Sequence, residues 1–226
     1  MTRLDLSRSV VVATLALFAP TLPAGAAVIT SAATVSLPPF STGNLGPLGA
    51  TPAPNNDNAT VASPNVVPQT VFWHDSAPME IEFNVANSGG TTEYRFTQNF
   101  VHVTGPAWTS FRFELGFGTG ASFVRSSATD LLDFDTPDGD PPPTATQFTT
   151  VSHGMDVIDW SGGSVPSIGS VAFTFAVDVP DGLPNGRFTL RQTPDGIASV
   201  PEPASALLLG VGLCGVLARA AGRRAR

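Results

Sequence analysis

The run SVAFTFAVDV, Ser170 to Val179, places Val171, Phe173, Phe175, Val177 and Val179 on alternate positions, with Ala172, Thr174, Ala176 and Asp178 between them. A strand turns successive side chains to opposite faces, so this pattern is a strand with one apolar and one wetter face. The same period recurs upstream and downstream. In MEIEFNV, Ile81, Phe83 and Val85 alternate with Glu80, Glu82 and Asn84. In SFRFELGF, Phe111, Phe113, Leu115 and Phe117 alternate with Arg112, Glu114 and Gly116, and in GRFTLRQ, Phe188 and Leu190 alternate with Arg187, Thr189 and Arg191. EYRFTQNFVHV, from Glu93 to Val103, reads as a further strand whose facing is less clear. Turn signals separate these runs: NSGG at 87–90, TGPA at 104–107, the Asp138-Gly139 pair, SGG at 161–163 and LPNG at 183–186. No run between 71 and 198 has the length and period of a core helix. The expected fold is all-β, an antiparallel β-sandwich of the immunoglobulin-like or jelly-roll-like kind. Phenylalanine fills the space between its sheets.

The ends differ from this body. Arg3 and Arg8 precede the apolar run SVVVATLALFA, Ser9 to Ala19; Pro20 and Pro23 break it, and Ala24-Gly25-Ala26 offers small residues at a cleavage site. This order is that of a secretory signal peptide, residues 1–26, with a buried N-terminal helix as the competing reading. Residues 27–70 are rich in Pro, Ala, Thr, Asn and Ser and read as an irregular segment with one strand near Ala33 to Leu37. The β domain then runs over 71–198. Asn58-Ala59-Thr60 matches a glycosylation sequon, a three-residue pattern that chance supplies often.

At the other end, Pro201-Glu202-Pro203 is followed by fifteen uncharged residues, Ala204 to Ala218, and then by Arg219, Arg223, Arg224 and Arg226. A helix over 204–218 spans about 22 Å of a hydrocarbon core roughly 30 Å thick, short for a permanent anchor. The arginines would hold its end on the cytoplasmic side and leave the body outside. Of eleven arginines six flank the apolar segments and five lie in residues 27–200; those residues carry sixteen Asp and Glu, a balance of eleven negative charges. Such a surface repels phosphate backbones and argues against nucleic acid as a partner. Cys214, the single cysteine, lies in the apolar tail, so the body has no disulfide and no cysteine-based metal site.

Taken together, the triplet, the apolar run and the terminal arginine cluster resemble the PEP-CTERM sorting signal of Gram-negative bacteria, over residues 200–226. The resemblance implies that a membrane-embedded exosortase recognises Pro201, Glu202 and Pro203 and removes the tail. The catalytic cysteine would then belong to that enzyme and not be Cys214. A plain C-terminal anchor is the competing reading. WTSFRFELGFGTGASF, Trp108 to Phe123, with LLDFDTPDGD after it, looks like the exported β-rich choice-of-anchor domains, over roughly residues 70–197. Those families have no settled activity, so this second resemblance implies a class and no reaction.

Chemistry in the body is sparse. DFDTPDGD gathers Asp133, Asp135, Asp138 and Asp140 on a glycine-containing turn, and calcium takes six to eight oxygens that such carboxylates can supply in part. The spacing D-x-D-x-x-D-G-D is not that of an EF-hand, and a solvated acidic turn is the plainer reading. No other cofactor is indicated. His74, His102 and His153 are scattered, with no HExxH and no GxSxG. Glu80, Glu82 and Glu114 are the carboxylates a glycosidase would draw on. Trp73, Trp108, Trp160 and Tyr94 could form a platform for sugar rings, core packing being their commoner use. The function expected is that of an exported, non-enzymatic surface or matrix protein. Its partners are an exosortase, the export machinery, the membrane through 204–218, and an exopolysaccharide. The alternative is a carbohydrate-binding module or a glycoside hydrolase.

Overall fold

Each run of period-two alternation becomes a strand in the computed structural model, which describes residues 27–36, 41–46, 63–74, 77–87, 89–135 and 142–195. The expected signal peptide, Asp138 and Asp140, the Pro201-Glu202-Pro203 motif and the 204–218 helix lie outside the described residues. Among the described residues no helix is long and apolar enough to cross a membrane.

In chain order the strands are β1 (Val28–Ser36), β2 (Thr42–Leu45), β3 (Val66–Trp73), β4 (Met79–Ala86), β5 (Thr91–His102), β6 (Ser110–Phe117), β7 (Val124–Arg125), β8 (Thr144–Ala145), β9 (Thr150–His153), β10 (Val157–Ser161), β11 (Gly169–Pro180) and β12 (Arg187–Asp195). They form two sheets. One has the order β1-β4-β12-β6-β10-β9, with β7 added to β6; the other has the order β2-β3-β5-β11-β8. The pairing is antiparallel except for β3 on β5, which is parallel, with Gln69 opposite Gln98. An all-antiparallel arrangement was the expectation; the parallel pair corrects it.

The segment read as irregular over 27–70, with one strand near Ala33 to Leu37, holds more strand than expected, because β1, β2 and the first part of β3 lie within it. Sheet pairing makes β1 a strand in spite of its Ser, Thr and Ala content. Its backbone pairs with β4 from Val28↔Ala86 to Ser36↔Glu80, with a bulge near each end. Its start enters the core through Ala27 and Ile29, and the half-buried Ala32 packs against it. Tyr94 fixes that start: its hydroxyl accepts from the Ile29 N–H at 2.9 Å and donates to the Ala27 carbonyl at 3.3 Å. Burial of the Tyr94 ring raises its phenol above the ordinary value, and the bond from Ile29 offsets part of that rise. In β3, Pro68 accepts from the Gly46 N–H at 2.9 Å but has no N–H to return. β2 ends there, at Leu45.

Phenylalanine joins the two sheets, as the alternation predicts. Phe83 of β4 meets Phe96 of β5 edge-on at 5.6 Å, and Phe111 of β6 stacks on Phe100 of β5 at 5.1 Å. Phe113 of β6 lies 5.0 Å from Phe173 and 4.8 Å from Phe175, both on β11. One polar layer interrupts this core. Gln192 of β12 donates to Gln69 of β3 at 3.1 Å, and Gln98 is buried beside Gln69 in register.

The outward face of the larger sheet is charged and internally paired. Arg187 meets Glu82 at 2.9 Å, Arg112 meets Asp159 at 2.6 Å, and Arg125 meets Asp156 at 2.7 Å. These exposed pairs contribute at most about 1 kcal/mol each. Arg191 and Glu80 are more enclosed. They meet at 2.6 Å, Glu80 also accepts from the Gly120 N–H, and the Arg191 guanidinium lies 3.8 Å over the Phe123 ring. This group fastens the short turn at Gly120–Ser122 to the sheet.

Candidate functional site

The acidic segment enters the smaller sheet at one end. Asp133 and Asp178 exchange backbone hydrogen bonds at 3.3 and 2.9 Å, and Phe134 donates to the Met155 carbonyl at 2.6 Å. The buried Phe134 ring packs edge-on to Phe175, so an apolar anchor holds the segment down. Asp178 lies directly opposite Glu93 in the β5–β11 ladder. Four acidic residues from three parts of the chain thus share this end: Glu93, Asp133, Asp135 and Asp178. Glu93, Asp135 and Asp178 are buried. Sequence reading found Asp133 and Asp135 and missed the other two, which sit about 40 residues away on either side. The available signal was Asp178 on the polar side of the opening stretch, where like charges directly opposite one another are unfavourable.

Among the described residues, no three His, Cys, Asp or Glu side chains are grouped so as to hold a metal ion. Asp138 and Asp140, half of the expected calcium set, are outside the description. His153 packs beside this segment and bonds to the Phe134 backbone. Burial lowers its imidazole below the ordinary value, and that bond offsets part of the drop.

The other candidates are placed in structural positions. Trp73, Trp108, Trp160 and Tyr94 are buried, with Trp73 and Trp108 edge-on at 5.8 Å. None of them presents a face to a sugar. His102 is buried against Trp108, their rings 4.4 Å apart, and its ring nitrogens lie 3.3 and 2.8 Å from the Val165 and Thr104 carbonyls. It ties the loop after β5 to the loop before β11. Near His74, the backbone N–H donates to Ser41 and the carbonyl accepts from Thr104. Glu80 and Glu82 are held by Arg191 and Arg187, and Glu114 lies 4.0 Å from Arg125. A pocket of about 370 Å³ opens beside Glu82, between Phe117 and Pro184. Glu82 is its one carboxylate, already paired with Arg187, where hydrolysis by paired carboxylates needs two. In comparisons with known proteins, no family model, no curated protein and no solved structure matches the chain.

Proposed function

We propose that the chain is an exported surface or extracellular-matrix protein of a Gram-negative bacterium, sorted and cleaved by an exosortase, with a structural or adhesive role and no catalysis. The observation that carries this is where the strands stop and start. β1 begins at Val28, two residues past the expected cleavage after Ala26, and β12 runs to Asp195, the last described residue, six residues before Pro201. A cut at either signal therefore leaves every described ladder whole. On this reading the two sheets are a β-sandwich of immunoglobulin-like or jelly-roll-like kind. It is delivered by a signal helix and tethered for a time by the 204–218 helix.

The motif would be accessible because Pro203 biases Glu202 away from helical geometry and keeps the triplet extended. The cytoplasmic arginines would fix the depth of the helix while the protease acts. The carbohydrate-cleaving alternative draws less support, since its expected tryptophans are buried and its glutamates are held by arginine. A subsidiary proposal is weak calcium binding by Asp133, Asp135, Asp138 and Asp140, supported by the backbone pairing of Asp133 with Asp178, which itself stands opposite Glu93.

Fractionation of the host with and without its exosortase tests the main proposal. Wild-type protein should leave the inner membrane only when the exosortase is present, and Glu202→Ala should accumulate there at full length. Equal release in both strains would sink the proposal.

A further inference from the structure

We infer that the outward face of the five-stranded sheet binds a neutral polysaccharide chain. This rests on the reading that the body acts outside the cell, and it names the partner. Register assembles the face into rows that cross several strands. Thr144, Thr174 and Thr97 stand side by side on β8, β11 and β5. In the next row Asn99, Thr70 and Asn44 continue across β5, β3 and β2. The row after that holds Phe72, which is 46% exposed. Among the described residues Phe72 is the one exposed aromatic, and sequence reading passed over it.

These three rows carry no charge, in a body eleven charges negative. Arg95 bounds them on the side of the acidic end. The larger sheet has the reverse character, with its arginines and carboxylates already paired. The chemistry of the neutral face selects its partner. A charged polymer finds only Arg95 at the border of these rows, and a lipid surface or an apolar protein patch finds little beyond Phe72, Val101 and the exposed Val66 beside Arg95. Threonine hydroxyls donate and accept, and asparagine amides do the same through separate atoms. Repeated at the strand spacing of about 4.8 Å, they offer hydroxyl-rich chains a regular series of hydrogen-bond partners. The Phe72 ring supplies a flat apolar surface for the carbon face of a pyranose.

The test is native electrophoresis of the protein purified from its host, in gels containing dextran, galactomannan, mixed-linkage β-glucan or, as the anionic comparison, alginate. At least one neutral polymer should retard the protein, and alginate should not. Asn99→Arg and Phe72→Ala should each weaken the apparent affinity by about tenfold or more. Ser161→Arg, an exposed position on the other sheet, should change nothing. The inference is overturned by retardation in alginate alone, by none in any neutral gel, or by Asn99→Arg and Phe72→Ala binding as wild type. Loss of binding in Ser161→Arg, or self-association of the protein without polymer, overturns it too. If Asn99→Arg fails to fold, Phe72→Ala decides the matter. Intact mass of the same preparation reports on sorting separately, so failure to bind and failure to be processed are distinguishable.

Discussion

Phe113→Ala probes the inter-sheet core at its densest point. The ring is fully buried on β6 and has four aromatic neighbours: Phe111 at 5.0 Å on its own strand, and Phe100, Phe173 and Phe175 at 6.3, 5.0 and 4.8 Å on the facing sheet. Truncation removes the ring's transfer free energy and leaves a cavity whose rigid lining collapses only in part, together about 3–5 kcal/mol. Aromatic pair terms of about 0.5–1.5 kcal/mol lie within that sum and push it upward. A domain this size holds about 5–15 kcal/mol in all, so the variant should lose about a fifth or more of its stability. The melting temperature should fall by roughly 6–20 °C, at about 2–4 °C per kcal/mol. The assay is urea unfolding followed by tryptophan fluorescence, with the slope held constant between variants so that the midpoint reports stability alone. Phe72→Ala is the internal comparison. Phe72 is half exposed and outside the core, and truncating it should cost less than about 1 kcal/mol. A Phe113→Ala cost below 1 kcal/mol, or one no larger than that of Phe72→Ala, would refute the two-sheet core described here.

Gln69→Leu should cost about 1–3 kcal/mol by leaving the Gln192 amide without its acceptor, while Gln69→Leu, Gln98→Leu and Gln192→Leu combined should cost less than the three single changes added together; urea midpoints of the four proteins decide this. Burial lowers the pKa of His153 in the fold. The unfolded chain therefore takes up the proton first as pH falls below about 6.5, and stability should decline toward acid until the folded pKa is passed. His153→Gln should flatten that part of the pH profile relative to wild type, and an unchanged slope would count against the buried environment. Millimolar calcium should raise the melting temperature if the acidic segment binds it, and Asp135→Asn with Asp138→Asn should abolish the rise; no shift leaves the segment a simple acidic turn.

How far the fold was legible depends on what each strand turns inward. β4, β6, β11 and β12 bury Phe, Ile, Leu and Val on alternate positions, and their period announces them. β5 buries Tyr94, Phe96, Gln98, Phe100 and His102, so two polar residues blur the same period and its facing could not be read. β3 buries Val67, Gln69, Val71 and Trp73 around Pro68, and glutamine and proline together hid its first half. β1 is a strand mainly because β4 offers it a ladder, and the sequence showed only its second half, near Ala33 to Leu37. The parallel β3–β5 pair follows from sheet order, which is a tertiary property. The candidate site followed the same division. Asp133 and Asp135 share a short stretch and were visible, whereas Glu93 and Asp178 join them only through strand pairing. Phe72 lies just past the segment read as irregular, on a strand whose first part went unread, so its facing could not be assigned.

The central claim is that the chain is cut at both ends around an intact two-sheet body. Mass spectrometry of the mature protein recovered from its host tests it most directly. The account predicts an N-terminus at Ala27 and no peptide from Ala204 onward. A mature chain that still begins at Met1, or that retains Cys214 and the arginine tail, would contradict it.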